Sequence, residues 1–107
     1  MQRIATVIDV VPEKLEEYRR LHAAAWPEVL AALRRANIRN YSIYLKDHTL
    51  FSYLEYHGDD WEADMALVAA DPVTQRWWAL TDPCQQPWPT RQPGEHWARL
   101  EPVFLME

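Results

Sequence analysis

A chain of 107 residues has room for one domain and one core, and 49% apolar residues with only two glycines exclude a disordered polypeptide. A formal net charge of −5 without a basic run argues against polyanion binding, so neither nucleic acid nor an acidic membrane surface is an expected partner. The single cysteine excludes an internal disulfide and a cysteine-built metal site; no apolar run nears the ~20 residues of a membrane span and no signal peptide is legible, so the expected location is cytoplasmic.

Residues 3–11 (RIATVIDVV) are rich in β-branched side chains and predict a first strand. Pro12 suits a first helical turn. After it Leu15, Tyr18, Ala25, Val29, Ala32 and Ala36 fall at alternating threes and fours, with position 22 filling the gap, which is the stripe of an amphipathic helix. Position 22 is His22, with Tyr18 one turn before it and Trp26 one turn after. On spacing alone His22 reads as a core histidine bonded to a backbone carbonyl or as an acid/base group. Pro27 cannot donate to the carbonyl of Ala23 and disfavours helix at Trp26. A break is therefore expected there, opening a notch beside His22.

Residues 38–46 (IRNYSIYLK) and 49–57 (TLFSYLEYH) alternate around Asp47-His48 and predict a β-hairpin, with Tyr41 and Ile43 on one face and Tyr44 on the other. Gly58-Asp59-Asp60 ends it and caps a helix from Trp61 to Ala70. Asp71-Pro72 is a second helix start, opening a segment, 72–81, that carries Arg76-Trp77-Trp78. Four prolines between Asp82 and Gly94 predict a long loop, 82–97, of the kind that serves as a lid or a dimer arm; Trp88 and Trp97 near its ends suggest that it covers a site. Residues 98–106 (ARLEPVFLM) predict a last strand, with Pro102 assigning it to an edge or bulge.

The order β, α, β, β, α, β predicts an α+β fold, a ferredoxin-like βαββαβ sandwich in which a four-stranded antiparallel sheet carries both helical regions on one face. The whole of 1–107 is expected to form a single domain. A second copy packing sheet to sheet would cover the other face, so a homodimer of the dimeric α/β-barrel type is expected. The four histidines show no H-x-x-x-H or H-x-H spacing, so no metal is expected; His48, His57 and His96 read as solvated or loop residues.

Tyr18 and His22, Trp26-Pro27-Glu28, Asn40-Tyr41-Ser42-Ile43-Tyr44 and Gln75-Arg76-Trp77-Trp78 occur in that order, and together they resemble the L-rhamnose mutarotase family. The resemblance runs from the first strand to Val103-Phe104. It implies a small dimeric ferredoxin-like isomerase that interconverts α and β pyranose anomers without metal or organic cofactor. It also implies His22 as the acid/base residue and Tyr18, Tyr41, Trp77 and Trp78 as sugar-binding residues. Trp26, on the helical face of His22, is carried as a further sugar contact. Thr74 stands where family members carry cysteine, and the segment 83–89 differs from theirs, which leaves L-fucose open beside L-rhamnose. Two readings of other classes remain: a cofactor-independent monooxygenase of the same fold, and a non-catalytic ligand-binding, heme-binding or dimerisation module. The Tyr18 and Tyr41 hydroxyls favour a polyol over an apolar aromatic substrate.

Overall fold

A computed structural model describes residues 1–107. Strand β1 spans Gln2–Val10 and a 3-10 turn, Pro12–Lys14, leads into helix α1, Leu15–Ala23. The expected break follows: α1 ends before Ala24, and Pro27 opens a separate helix α2, Pro27–Arg35, at a position where its missing N–H has no partner to lose. The hairpin is β2, Ile38–Lys46, and β3, Thr49–Tyr56, turning at Asp47 with φ 54°. Helices α3, Trp61–Ala70, and α4, Pro72–Thr81, are capped as anticipated: Asp60 accepts from the Ala63 amide at 3.1 Å and Asp71 from the Thr74 amide at 2.9 Å.

The sheet order is β2-β3-β1 with two short segments on the outer edge of β1: β4, Gln85–Gln86, beside Asp9–Val10, and β5, Ala98–Arg99, beside Thr6–Val7. Both run antiparallel to β1, so together they occupy the place of one fourth strand, interrupted by the excursion 87–97. The ferredoxin-like order is thereby kept. The expected strand over 98–106 is cut short. Leu100 still donates to the carbonyl of Ala5 at 2.9 Å, and the same register would next bring Pro102 opposite Arg3. Pro102 has no N–H to give, and from there the chain leaves the sheet. Val103 and Phe104 end up 93% and 84% exposed.

Cross-strand rows divide the sheet into two faces. Leu45, Leu50 and Ile8 are register partners on the face toward the helices, where Ile8, Val10, Leu50 and Cys84 pack around Tyr18. Ile43, Ser52, Thr6 and Arg99 form the neighbouring row on that face. The opposite face carries the row Tyr44, Phe51, Val7 and Ala98. An irregularity between Arg39 and Ser42, with Asn40 at φ 49°, sets β2 so that both Ile38 and Tyr41 face the helices despite their odd spacing. No helix is long and apolar enough to cross a membrane.

Candidate functional site

Helices and sheet enclose a cavity of about 870 Å3 whose interior end is apolar, formed by Ile4, Leu33, Ile38, Leu54, Met65 and Val68. At its polar end is a cleft of about 370 Å3 walled by Tyr18, His22, Tyr41, Trp77, Trp78, Asp82, Gln85, His96 and Trp97. Tyr18 and His22 lie one turn apart on α1, the hairpin bulge turns Tyr41 inward, α4 presents both tryptophans, and the split fourth strand brings Gln85 and His96 to the rim.

His22 is the best-defined group. Its ring stacks on that of Tyr18, centroids 4.1 Å apart and planes 25° apart, and Trp77 meets it edge-on at 5.3 Å. Nδ1 lies 3.0 Å from the Tyr18 carbonyl oxygen. A carbonyl only accepts, so Nδ1 carries the proton and Nε2 keeps its lone pair. Burial among aromatic rings pulls the pKa below the ordinary 6.5, against the weaker opposite pull of that carbonyl, so the imidazole is neutral at pH 7. The site therefore holds a base of defined tautomer.

The tyrosines complement it. Burial pushes the Tyr18 hydroxyl well above the ordinary tyrosine range, and a hydrogen bond from Gln85 works the other way. Desolvation also raises Tyr41, to about 12, although two-fifths of that residue's surface is exposed. Both hydroxyls remain protonated and can donate to oxygens of a ligand. Aromatic faces beside several hydroxyl and amide groups suit a sugar, whose C–H patches stack and whose hydroxyls need partners.

Five of the six residues singled out in the sequence line this cleft: Tyr18, His22, Tyr41, Trp77 and Trp78. The adjacent tryptophans divide their work. Trp77 is 7% exposed and packed against His22, while Trp78 is 38% exposed at the wall. Trp26 is the exception. It is not on the wall but stands behind Trp77, edge-on at 5.3 Å, because the chain break at Ala24–Trp26 turns its side chain away from the His22 stripe. The loop ends differ as well. Trp97 lines the cleft, whereas Trp88 donates to the Asp9 carboxylate at 3.0 Å, and Asp9 sits on the far face of β1. Asp82, Gln85 and His96 were not legible as site residues: Gln85 meets Tyr18 across 67 residues, and Asp82 and His96 join the wall around Gln85, which no local pattern announces. No three His, Cys, Asp or Glu side chains converge as a metal site would require.

Topology and cleft together define a small ferredoxin-like α+β protein with one neutral histidine in an aromatic, hydroxyl-rimmed pocket. The family model for L-rhamnose mutarotase matches residues 3–106, and the chain belongs to the L-rhamnose mutarotase family, isomerases acting on carbohydrates. It is 39% identical over 109 residues to an L-rhamnose mutarotase of Burkholderia cenocepacia, covering 100% of both chains. To one of Listeria monocytogenes it is 35% identical over 95 residues, covering 87% of this chain and 88% of the other. The crystal structure of an L-rhamnose mutarotase from Formosa agariphila superposes over 100% of both chains with a TM-score of 0.77 at 26% identity. Tetracenomycin F2 cyclase of Streptomyces glaucescens shares the fold alone, with a TM-score of 0.73 at 12% identity over 100% of this chain and 98% of that one. These matches favour the mutarotase over the oxygenase and over a non-catalytic module.

Proposed function

We propose that this protein interconverts the α and β pyranose anomers of L-rhamnose, with His22 as the acid/base residue. The observation that carries the reading is the fixed tautomer of a neutral imidazole whose free Nε2 belongs to the sugar-sized cleft. Ring opening transfers the O1 proton to Nε2 while the C1–O5 electron pair moves onto O5 and a C1–O1 double bond forms. The Tyr18 hydroxyl hydrogen-bonds O5 as its charge develops, and the imidazolium then returns its proton to O5. Rotation about C1–C2 and the reverse sequence close the ring on the other face. An acid/base group of this kind contributes ~10²–10⁴-fold, enough for a reaction whose uncatalysed form is already measurable.

Trp78 is assigned to stack on the sugar, Trp77 to hold His22 and border the sugar, and Tyr41 to hydrogen-bond its hydroxyls. Trp26 is assigned to support Trp77 rather than to touch ligand. The apolar flank suits a 6-deoxy sugar, whose methyl group needs no hydrogen bond. The test is a sugar panel. Saturation transfer between the anomeric protons of L-rhamnose, L-fucose, D-glucose and D-ribose is compared with and without protein. Acceleration strongest for L-rhamnose is expected, and acceleration of none of the four would refute the reading.

The chain is proposed to act as one domain, in a homodimer, in the cytoplasm. An exposed sheet face bearing Tyr44 and Phe51, together with the apolar tail Val103–Met106, supports the dimer, since such surface is otherwise left to water. A lone unpaired Cys84 fits a reducing compartment.

A further inference from the structure

The polar rim contains a directional hydrogen-bond chain that ends on Tyr18. His96 Nε2 lies 2.8 Å from Gln85 Oε1 and 3.8 Å from Asp82 Oδ1. A carboxylate beside that nitrogen favours its bearing the proton, so His96 donates to Gln85. With its oxygen end so occupied, the Gln85 amide turns its Nε2 to the Tyr18 hydroxyl oxygen, 3.4 Å away. Tyr18 Oη has then accepted a hydrogen bond, and its single proton is left to point into the cleft.

We propose that Gln85 and His96 are positioning residues that set the polarity of the Tyr18 hydroxyl, fixing it as a hydrogen-bond donor to the bound pyranose. Its ligand rests on the mutarotase reading. The value of the arrangement follows from the stacking of His22 on Tyr18. A lone pair at His22 Nε2 and an O–H at Tyr18 stand side by side, one to take the O1 proton and one to meet O5. Were the Gln85 amide reversed, its oxygen would capture the Tyr18 proton, and the cleft would offer O5 no donor at that point. Asp82 and His96 prevent the reversal. The latch also ties the two ends of the 87–97 excursion, since Gln85 lies just before it and His96 at its close.

Gln85→Glu is the discriminating variant, since it keeps the shape but replaces the donating amide nitrogen with an accepting oxygen. It is to be measured in the full-length protein, alone and combined with Tyr18→Phe, by L-rhamnose anomeric exchange. A fall in kcat of about tenfold or more is expected, with KM changed less, and a further change within about twofold when the Tyr18→Phe substitution is already present. His96→Leu should lose about threefold or more and His96→Gln, which still offers an N–H, should recover most of it. If Gln85→Glu and His96→Leu both stay within twofold of the parent, or if Gln85→Glu costs as much in the Tyr18→Phe background as in the parent, the latch is refuted. Should Gln85→Glu fail to fold, the His96→Leu and His96→Gln pair in both backgrounds decides the matter alone. Absence of exchange in the parent protein would instead refute the mutarotase reading.

Discussion

His22 stacks on the ring of Tyr18 and donates its Nδ1 proton to the carbonyl of that same residue, 3.0 Å away. His22 stands at i+4 from Tyr18, so the histidine's neighbour in the fold is also its neighbour on the next turn. That one residue fixes the tautomer and stacks on the ring, and Trp77 closes on it edge-on. The same carbonyl bond satisfies the bland expectation for a buried histidine, and it leaves Nε2 free for chemistry.

A pH profile follows from the depressed pKa. With desolvation dominating, His22 in the folded protein protonates only below the ordinary value of 6.5. The anomerisation rate should therefore be flat around pH 7 and fall on the acid side with a midpoint below 6.5, measured as kcat/KM by NMR across pH 4.5–8. The same shift makes stability depend on pH. The unfolded chain binds the proton first, so the contribution is full above 6.5 and declines as pH drops toward the folded value. A rate limb at or above 6.5 would contradict the assignment.

The two tryptophans should separate stability from binding. Trp77→Ala removes a buried ring and is expected to destabilise by about 3–5 kcal/mol. Trp78→Ala, at a ring that is 38% exposed, should cost less stability than Trp77→Ala while raising KM severalfold through lost stacking, a loss of about 0.5–1.5 kcal/mol. Thermal unfolding and sugar titration check the pair.

Asp71 holds the start of the helix that carries both tryptophans, accepting from the Thr74 amide and from the buried Thr74 hydroxyl at 2.8 Å. Asp71→Ala should lower Tm while kcat at 25 °C stays within about twofold, since the cap touches no ligand. The Thr74 amide, chiefly, holds the Asp71 carboxyl below its ordinary value of 3.8. Its contribution is therefore full above 3.8 and is lost as pH falls through the depressed value. The Tm difference between parent and variant should shrink below pH 4 accordingly.

Deleting residues 101–107 removes Val103, Phe104, Leu105 and Met106, all more than half exposed. If that tail covers a second copy, the deletion converts a species of twice the chain mass to monomer in light scattering. A parent already of single-chain mass, or a mass that the deletion leaves unchanged, would contradict that role for the tail.

Much of this was legible from local rules. The break at Pro27, the Asp60 and Asp71 caps and the opposite facing of Tyr41 and Tyr44 each depend on a few adjacent residues. What was not legible depends on the far edge of the sheet. β-branched and apolar residues over 98–106 look like a strand, but its length is set by whether Pro102 meets a β1 carbonyl that wants a donor. Likewise His96 meets Gln85, and Gln85 meets Tyr18, only because two fragments share one edge of β1. Trp26 matched the helical stripe only so long as the helix ran on through the break.

The most direct measurement is the α/β exchange rate of L-rhamnose at its anomeric protons, with the parent protein and with His22→Ala at equal concentration. Protein-dependent exchange is expected in the parent and a loss of ~10²–10⁴-fold in the variant, with its circular dichroism unchanged. Exchange that survives the substitution in a folded variant would move the acid/base role away from His22.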